Sequence, residues 1–345
     1  MDENFSTNNG GVYLSVESRA IPADGEEVQL EVNTYRDTNY IIVAEADIII
    51  PCVTAFLFDN YTGITTEIPQ SGTVNYSYSI APGIAASIAN DRFKIIFSND
   101  ITQITWNGSI SSSWEDSNNW TPNEIPNQCA EVSVPTTNIQ PEIAGEKTIK
   151  SLSIGEGSNV VIPAGSRLNI VGDLIMYSTS DSYSGLLVYG AITVTGTTKY
   201  HRYTNSQVND NDLIAPPLSG QSWTSFLTDD DNYNANLLFN NGETIPNTAY
   251  LFGPFEKGIT DNFLVYNYNT TANLNTGLGY SVATNTPIGQ GNGEPLIFTG
   301  SIVTGPVNIP IWNDITGDFP EWNLIGNPYA SYIDVDTFLN HIGSV

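Results

Sequence analysis

Short apolar runs alternate with polar residues along most of the chain, and turn-forming residues interrupt them at roughly the 8–12-residue spacing of sandwiches and barrels. In the first hundred or so positions, residues 12–16, 28–32, 40–43, 54–58, 74–80 and 92–97 read as strands, punctuated by Asp24-Gly25, Thr62-Gly63 and Ser71-Gly72. That pattern predicts one antiparallel β-sandwich over residues 1–102. Residues 85–91 suit a short helical turn before its last strand. Further on, the apolar runs shrink to triplets or little more, at 152–154, 160–162, 168–170, 173–176, 186–188 and 192–194, with Gly155, Gly157, Gly165, Gly172, Gly190 and Gly196 between them. Such runs are too short to bury a sheet face alone. Stacked one per rung they line a narrow solenoid, so residues 103–200 read as a loop-like cap followed by a short β-helix or β-roll, with a plain sandwich as the alternative.

Longer strands return from residue 201, at 213–215, 250–252, 263–266, 279–283, 296–298, 307–309 and 322–325, and predict a second β-sandwich over 201–345. One helix is expected over 334–341, where Asp334 or Asp336 caps the first turn and Val335, Phe338 and Leu339 form an apolar face. A sheet seldom ends on such a helix, so further C-terminal strands are expected beyond residue 345. The predicted fold class is therefore all-β: tandem antiparallel sandwiches with a glycine-punctuated, β-helix-like middle.

Composition supports this and narrows the chemistry. Charged residues make up 14% of the 345 positions, against a usual value of about 25%. Asn, Thr, Ser and Gly fill the remaining wet positions, which suits turns and strands and not the Lys- and Glu-rich faces of long helices. With 37 acids against 10 bases the net charge is -27, a field that repels polyanions and excludes nucleic-acid binding. No Lys or Arg follows Lys257. The opening MDENFSTNNG lacks a basic and then apolar leader, and no run of about 18 apolar residues occurs, so neither a signal peptide nor a membrane span is expected in this stretch. Two cysteines and two histidines leave carboxylates, amides, hydroxyls and rings as the main chemical material.

Each candidate site has a plainer alternative. Asp230, Asn232, Asn234 and Asn236 repeat oxygen-bearing side chains at every second position, as a calcium loop does. Ala235 stands where an EF-hand needs Gly and Asn241 where it needs Glu, which leaves a looser calcium site or a solvated acidic loop. The run 209–212 is a weaker case of the same kind. Trp106, Trp114 and Trp120 can stack on sugar rings beside the Asn118 and Asn119 amides; alternatively they plug the end of the solenoid, which needs a cap. His201 lies on a strand and reads as structural, and His341 sits near the helix C-terminus, where a cation suits the dipole. Asn327-Pro328-Tyr329 reads as a rigid turn packing Tyr329. Glu26-Glu27 and Glu115-Asp116 are neighbours, which on a strand point to opposite faces and share no site. Cys52 and Cys129 fall in different predicted modules and are expected as two separate thiols, with a bridge as the alternative that export permits.

The segment WNGSISSSWEDSNNWTPNEIP from Trp106, followed by EVSVPTT from Glu131 and the triplets at 152–154 and 168–170, resembles a recurrent segment of large modular surface proteins that Bacteroidetes export through the type IX secretion system. The runs 213–223, 277–280, 295–300 and 322–329, with Ile333-Asp334, look like the companion module of those proteins, and residues 55–62 and 89–97 are similar to theirs. The resemblance covers most of the chain. It implies export, an extracellular or outer-surface location, and a signal peptide and sorting domain in the intact protein; it does not select an activity, since such modules accompany adhesins, proteases and polysaccharide-binding proteins. Two functions fit these features. The first is a non-enzymatic structural or adhesive module contacting a surface, neighbouring modules or other copies, with no required cofactor. The second is a carbohydrate-binding or carbohydrate-cleaving part of a secreted enzyme.

Overall fold

The structure is a computed structural model that describes residues 4–46, 51–208, 210–228, 232, 249–257, 262–286, 292–313 and 315–342. The chain divides into two compact units, Met1–Thr102 and Gln103–Val345.

The first unit contains β1 (Asn4–Asn9), β2 (Val12–Leu14), β3 (Glu27–Asn33), β4 (Asn39–Ala46), β5 (Val53–Asp59), β6 (Ile64–Ile68), β7 (Gly72–Ser79) and β8 (Phe93–Asn99). Six of them form one sheet in the order β2-β1-β3-β8-β5-β6, while β4 and β7 form a second. Leu30, Val32, Leu57 and Phe93 from the first sheet pack against Tyr76 and Tyr78 from the second. This is the antiparallel sandwich expected over 1–102. The strands β1 and β6 escaped the sequence reading because NFSTNN and ITTEI carry little apolar alternation; pairing with β3 and β5 makes them strands. A one-turn 3-10 helix, Ala85–Ser87, occupies the expected helical position.

The sandwich encloses an ion pair. Arg92 donates from Nε to Asp59 Oδ1 at 2.9 Å and from Nη2 to Oδ2 at 2.7 Å, and Tyr76 donates its hydroxyl to Oδ2 at 2.8 Å. Nη1 of Arg92 donates to the Ser79 and Ser87 carbonyls, and the guanidinium lies 4.8 Å from the Tyr78 ring centroid. Asp59 is wholly buried and Arg92 is 2% exposed. A buried pair of this kind adds little beyond an apolar core, yet breaking it strands one charge and costs several kcal/mol. Burial works to raise the Asp59 carboxyl, but the hydrogen bonds from Arg92, Tyr76 and the Tyr61 N–H outweigh it and hold the group below its ordinary value.

The second unit begins with β9 (Thr102–Trp106), β10 (Trp120–Thr121), β11 (Ala130–Val134), β12 (Glu146–Ile149), β13 (Ser151–Ile154), β14 (Asn159–Ile162), β15 (Arg167–Ile170), β16 (Leu174–Tyr177), β17 (Gly185–Val188), β18 (Ala191–Val194) and β19 (Thr198–Thr204). From β11 to β19 these strands wind as a three-faced parallel β-solenoid. One face carries β11, β13, β16 and β19, another β14 and β17, and the third β12, β15 and β18. All six apolar runs read from the sequence are strands of this solenoid. Inward positions stack in rows. Val132, Leu152 and Leu174 are in register, as are Ile149, Ile170 and Val194. Each fully buried Leu, Ile or Val in such a row contributes about 1.5–3 kcal/mol of transfer free energy. At one corner the backbones of successive turns touch: Gly172 N–H donates to the Lys150 carbonyl and Gly196 N–H to that of Gly172. A Cβ on Gly196 would stand 2.5 Å from the Gly172 backbone, so that corner requires glycine.

The remaining elements are β20 (Asp212–Ile214), α1 (Trp223–Thr228), β21 (Phe252–Glu256), β22 (Asn262–Phe263), β23 (Tyr280–Val282), β24 (Glu294–Thr299) and α2 (Val335–Ile342). A four-stranded sheet, β20-β23-β21-β22, packs with α1 around Trp223, Phe226, Phe252, Tyr280 and Phe298. Phe298 comes from β24, which pairs antiparallel with the solenoid strand β19. Val134, Ile154, Met176, Tyr200 and Phe298 therefore form one buried row running from the solenoid core into the second core.

Three expectations are corrected here. The boundary at 200/201 separates nothing, because β19 runs through it and serves both sides. The second sandwich borrows one layer from the solenoid sheet. Residues 307–309 and 322–325 are not strands: Pro306 and Pro310 flank the former and lack the N–H a ladder needs, and Ile325 makes only an isolated bridge to Leu278. The helix expected over 334–341 is α2, with Asp334 Oδ1 accepting from the Thr337 N–H. The short α1 was missed, although Ser222 caps it by accepting from the Ser225 N–H and Trp223, Phe226 and Leu227 give its buried face.

The Asp59–Arg92 pair makes the first unit acid-sensitive. Since the folded carboxyl lies below the unfolded value of about 3.9, its stabilisation is present above that value and disappears as pH falls through the folded one. Arg92→Ala is expected to cost about 3–5 kcal/mol, with a loss that shrinks towards acid pH as Asp59 protonates. Urea denaturation of the full, unreduced chain at neutral pH and below pH 4, read by hydrogen exchange at the amides of β3, β5 and β8, measures both effects.

Candidate functional site

The tryptophan-rich segment is built as a seal on the first end of the solenoid. Trp106 on β9 and Trp120 on β10 face each other across an antiparallel pair. Their ring centroids lie 4.8 Å apart and those of Trp114 and Trp120 4.6 Å apart, both edge-to-face. Nε1 of Trp106 donates to the Ile139 carbonyl at 2.8 Å, and Nε1 of Trp120 to that of Trp114 at 2.9 Å. Asn119 is buried and saturated: Oδ1 accepts from the Ile110 and Ser111 N–H groups, and Nδ2 donates to Ser111 Oγ and the Ser113 carbonyl. Gly108 has φ 58°, and a Cβ there would sit 2.5 Å from the Ile139 oxygen that accepts from Trp106. The glycan-stacking role expected for Trp106, Trp114 and Trp120 is therefore corrected. All three rings are fully buried and present no face to a sugar.

The calcium expectation loses its one describable member. Asn232 is buried, its Nδ2 donates to the Phe226 and Ile297 carbonyls, and its Oδ1 accepts from the Ile297 N–H. That amide stitches the chain to β24 as a strand would. Asp230, Asn234 and Asn236 lie outside the described residues, as does the His341 side chain. In the run 209–212, Asp212 accepts from the Asn205 and Leu213 N–H groups and Asp210 from that of Asn211, which are turn contacts. His201 stacks on Tyr177 across neighbouring rungs at 4.8 Å, a structural place. The expectation of two separate thiols is overturned as well, because Cys52 and Cys129 are both disulfide-bonded.

The far end of the solenoid is sealed by the loop around Asn327-Pro328-Tyr329, and here a cavity remains. Asn327 Oδ1 accepts from the Tyr329 N–H and its Nδ2 donates to the Ser331 carbonyl, the rigid turn that was expected. The turn brings Ala330 into the solenoid core, where its carbonyl accepts from the Leu186 N–H at 2.7 Å. Beneath it lies a space of about 340 Å³, at the lower end of the usual size for small-molecule sites. Tyr183, Tyr200, Tyr329 and Tyr332 line it together with Arg202 and an apolar wall that includes Leu213 and Leu324.

The phenols are held by their own hydrogen bonds. Tyr200 donates to the Ser184 carbonyl at 2.8 Å, Tyr332 to that of Tyr183 at 2.7 Å and Tyr329 to that of Gly305 at 3.2 Å. Burial, only partly offset by the bond to Ser184, pushes the Tyr200 hydroxyl up to about 12, so it remains a neutral donor. Sequence reading found the turn but not the cavity. Its lining comes from five separate stretches of chain, and no local spacing brings them together.

A family defined as a domain of unknown function, DUF8693, matches residues 105–344. The chain belongs to this family. Its span coincides with the second compact unit, so the solenoid, both end seals and the four-stranded sheet make up one DUF8693 domain. No curated protein and no solved structure matches the chain.

Two tests follow. Gly108→Ala is expected to destabilise the DUF8693 domain by about 1–3 kcal/mol through the positive φ and the close approach, and Trp120→Ala by about 3–5 kcal/mol; thermal melts followed by tryptophan fluorescence measure both. Thiol titration of the unfolded, unreduced chain should find none, and after reduction should find both cysteines.

Proposed function

We propose that the chain is a non-enzymatic extracellular module of a large secreted cell-surface protein, structural or adhesive, that makes contact with a surface, neighbouring modules or other copies of itself. The observation that carries this reading is where the reactive-looking residues went. The three tryptophans, Asn119 and Asn232 hold the framework together, and Asp59 and Arg92 are locked against each other inside a sandwich. Disulfide-bonded cysteines suit an oxidising compartment, which agrees with the export implied by the resemblance. A solenoid whose core is plugged at both ends presents polar faces along its length, a form suited to spacing or contact.

A charge of -27 makes copies of the chain repel one another until salt screens them. Adhesion of cells displaying the chain, or its self-association in sedimentation, is thus expected to strengthen as ionic strength rises from low to physiological values. Reducing-end release from neutral and acidic polysaccharides should stay at background; sustained release by the purified chain would overturn the proposal in favour of a glycan-cleaving enzyme.

A further inference from the structure

The cavity below the Asn327 turn is lined by a base in a strongly acidic chain. In a protein with 37 acids and 10 bases, its lining holds Arg202 and no carboxylate. Elsewhere Arg19, Arg92, Lys94, Lys147 and Lys150 each reach a Glu or Asp. Arg202, like Arg167 and Lys257, reaches none among the described residues, and of these three it alone lines the cavity. Its guanidinium lies over the Tyr183 ring, 4.3 Å from the centroid, and Nη1 donates to the Tyr203 carbonyl, which leaves further N–H donors unused.

A second, independent sign points the same way. Ser184 is 2% exposed and lines the cavity, yet its Oγ has no hydrogen-bond partner. A buried hydroxyl left unmatched costs about 1–3 kcal/mol, and a ligand group supplied from the cavity would satisfy it. Around these two polar groups stand aromatic rings fixed by their own hydroxyl bonds and an apolar wall. That arrangement suits a saturated ring with C–H faces on one side and hydroxyls on its rim, carrying one carboxylate.

We propose that this cavity binds a hexuronic acid, free or as the terminal residue of a glycan. Its carboxylate meets the guanidinium edge that Tyr183 and Tyr203 leave free, its ring lies against the tyrosines and the apolar wall, and a hydroxyl pairs with Ser184 Oγ. The overall charge does not forbid this. At physiological salt, exposed charges more than about 8 Å away are largely screened, so a single carboxylate is governed by Arg202, whereas a polyuronate chain crossing the acidic surface is opposed. The site goes beyond the adhesive reading and stands or falls separately from it.

Calorimetry or saturation-transfer NMR on the full chain tests the proposal with glucuronate and galacturonate as probes and glucose as the uncharged control. At least one uronate is expected to bind at least about tenfold more tightly than glucose, and less tightly as salt rises. Arg202→Gln should weaken binding by about ten- to a hundredfold, the loss typical of a charge-assisted hydrogen bond, with an unchanged melting temperature; Ser184→Ala should weaken it several-fold. Tighter binding of a uronate-terminated oligosaccharide than of the monosaccharide assigns a glycan end as the ligand, and equal binding assigns the free acid. No binding of either uronate, equal binding of glucose, or undiminished binding by a folded Arg202→Gln overturns the proposal. If Arg202→Gln melts early, the glucose comparison and salt dependence of the unaltered chain decide. Failure of adhesion would leave these sugar measurements unaffected.

Discussion

Parallel turns stacked one on another bury side chains only where a neighbour covers them, and a solenoid has two ends with no neighbour. Much of the second unit answers that constraint. The inward row through Val134, Ile154, Met176 and Tyr200 stays dry because the tryptophan seal closes it below and Phe298 on β24 continues it above. Glu142 extends a second face by an isolated bridge to Val161 and Ser113 extends it again by one to Glu142, and Ala330 closes the same face at the last turn through Leu186. The antiparallel sheet that follows is thus both a second core and a lid on the first. Family boundary and compact unit coincide because neither half could be cut away without exposing that row.

The same economy governs the polar groups. Asn119 and Asn232 use their amides as short pieces of backbone, pairing with N–H and C=O groups that no regular strand reaches. In the first unit Asp59 and Arg92 bring two charges into an apolar sandwich, and the hydrogen bonds around them are what make this tolerable. Arg92 is gripped by Asp59, two carbonyls and the faces of tyrosines. Arg202 and Ser184, which line the same cavity, each keep bonding capacity that the chain itself does not fill.

Much of the fold was legible because local periodicity carried it. The solenoid triplets were readable since each rung is short, bounded by glycine and apolar on alternate positions, and the first sandwich was readable for the same reason apart from β1 and β6. The Asp334 cap and the Asn327 turn were readable because their partners lie within four residues. The cavity was not, since Tyr183, Arg202, Leu213, Leu324 and Tyr332 meet only after the solenoid, the sheet and the final loop have packed. Nor was the fate of the tryptophans decided locally: their spacing suits a sugar platform and a plug equally well, and only the core behind them makes the plug.

By itself the amino-acid sequence determined the class of element, the glycine corners, the acidic surface and the scarcity of reactive side chains, all of which follow from propensity, steric freedom and charge. The tertiary structure alone decided that residues 103–345 are one unit, that both cysteines are bonded, and that a lone guanidinium and an unmatched hydroxyl face one cavity. Those outcomes depend on contacts between residues far apart in the chain, and burial, not spacing, selects them.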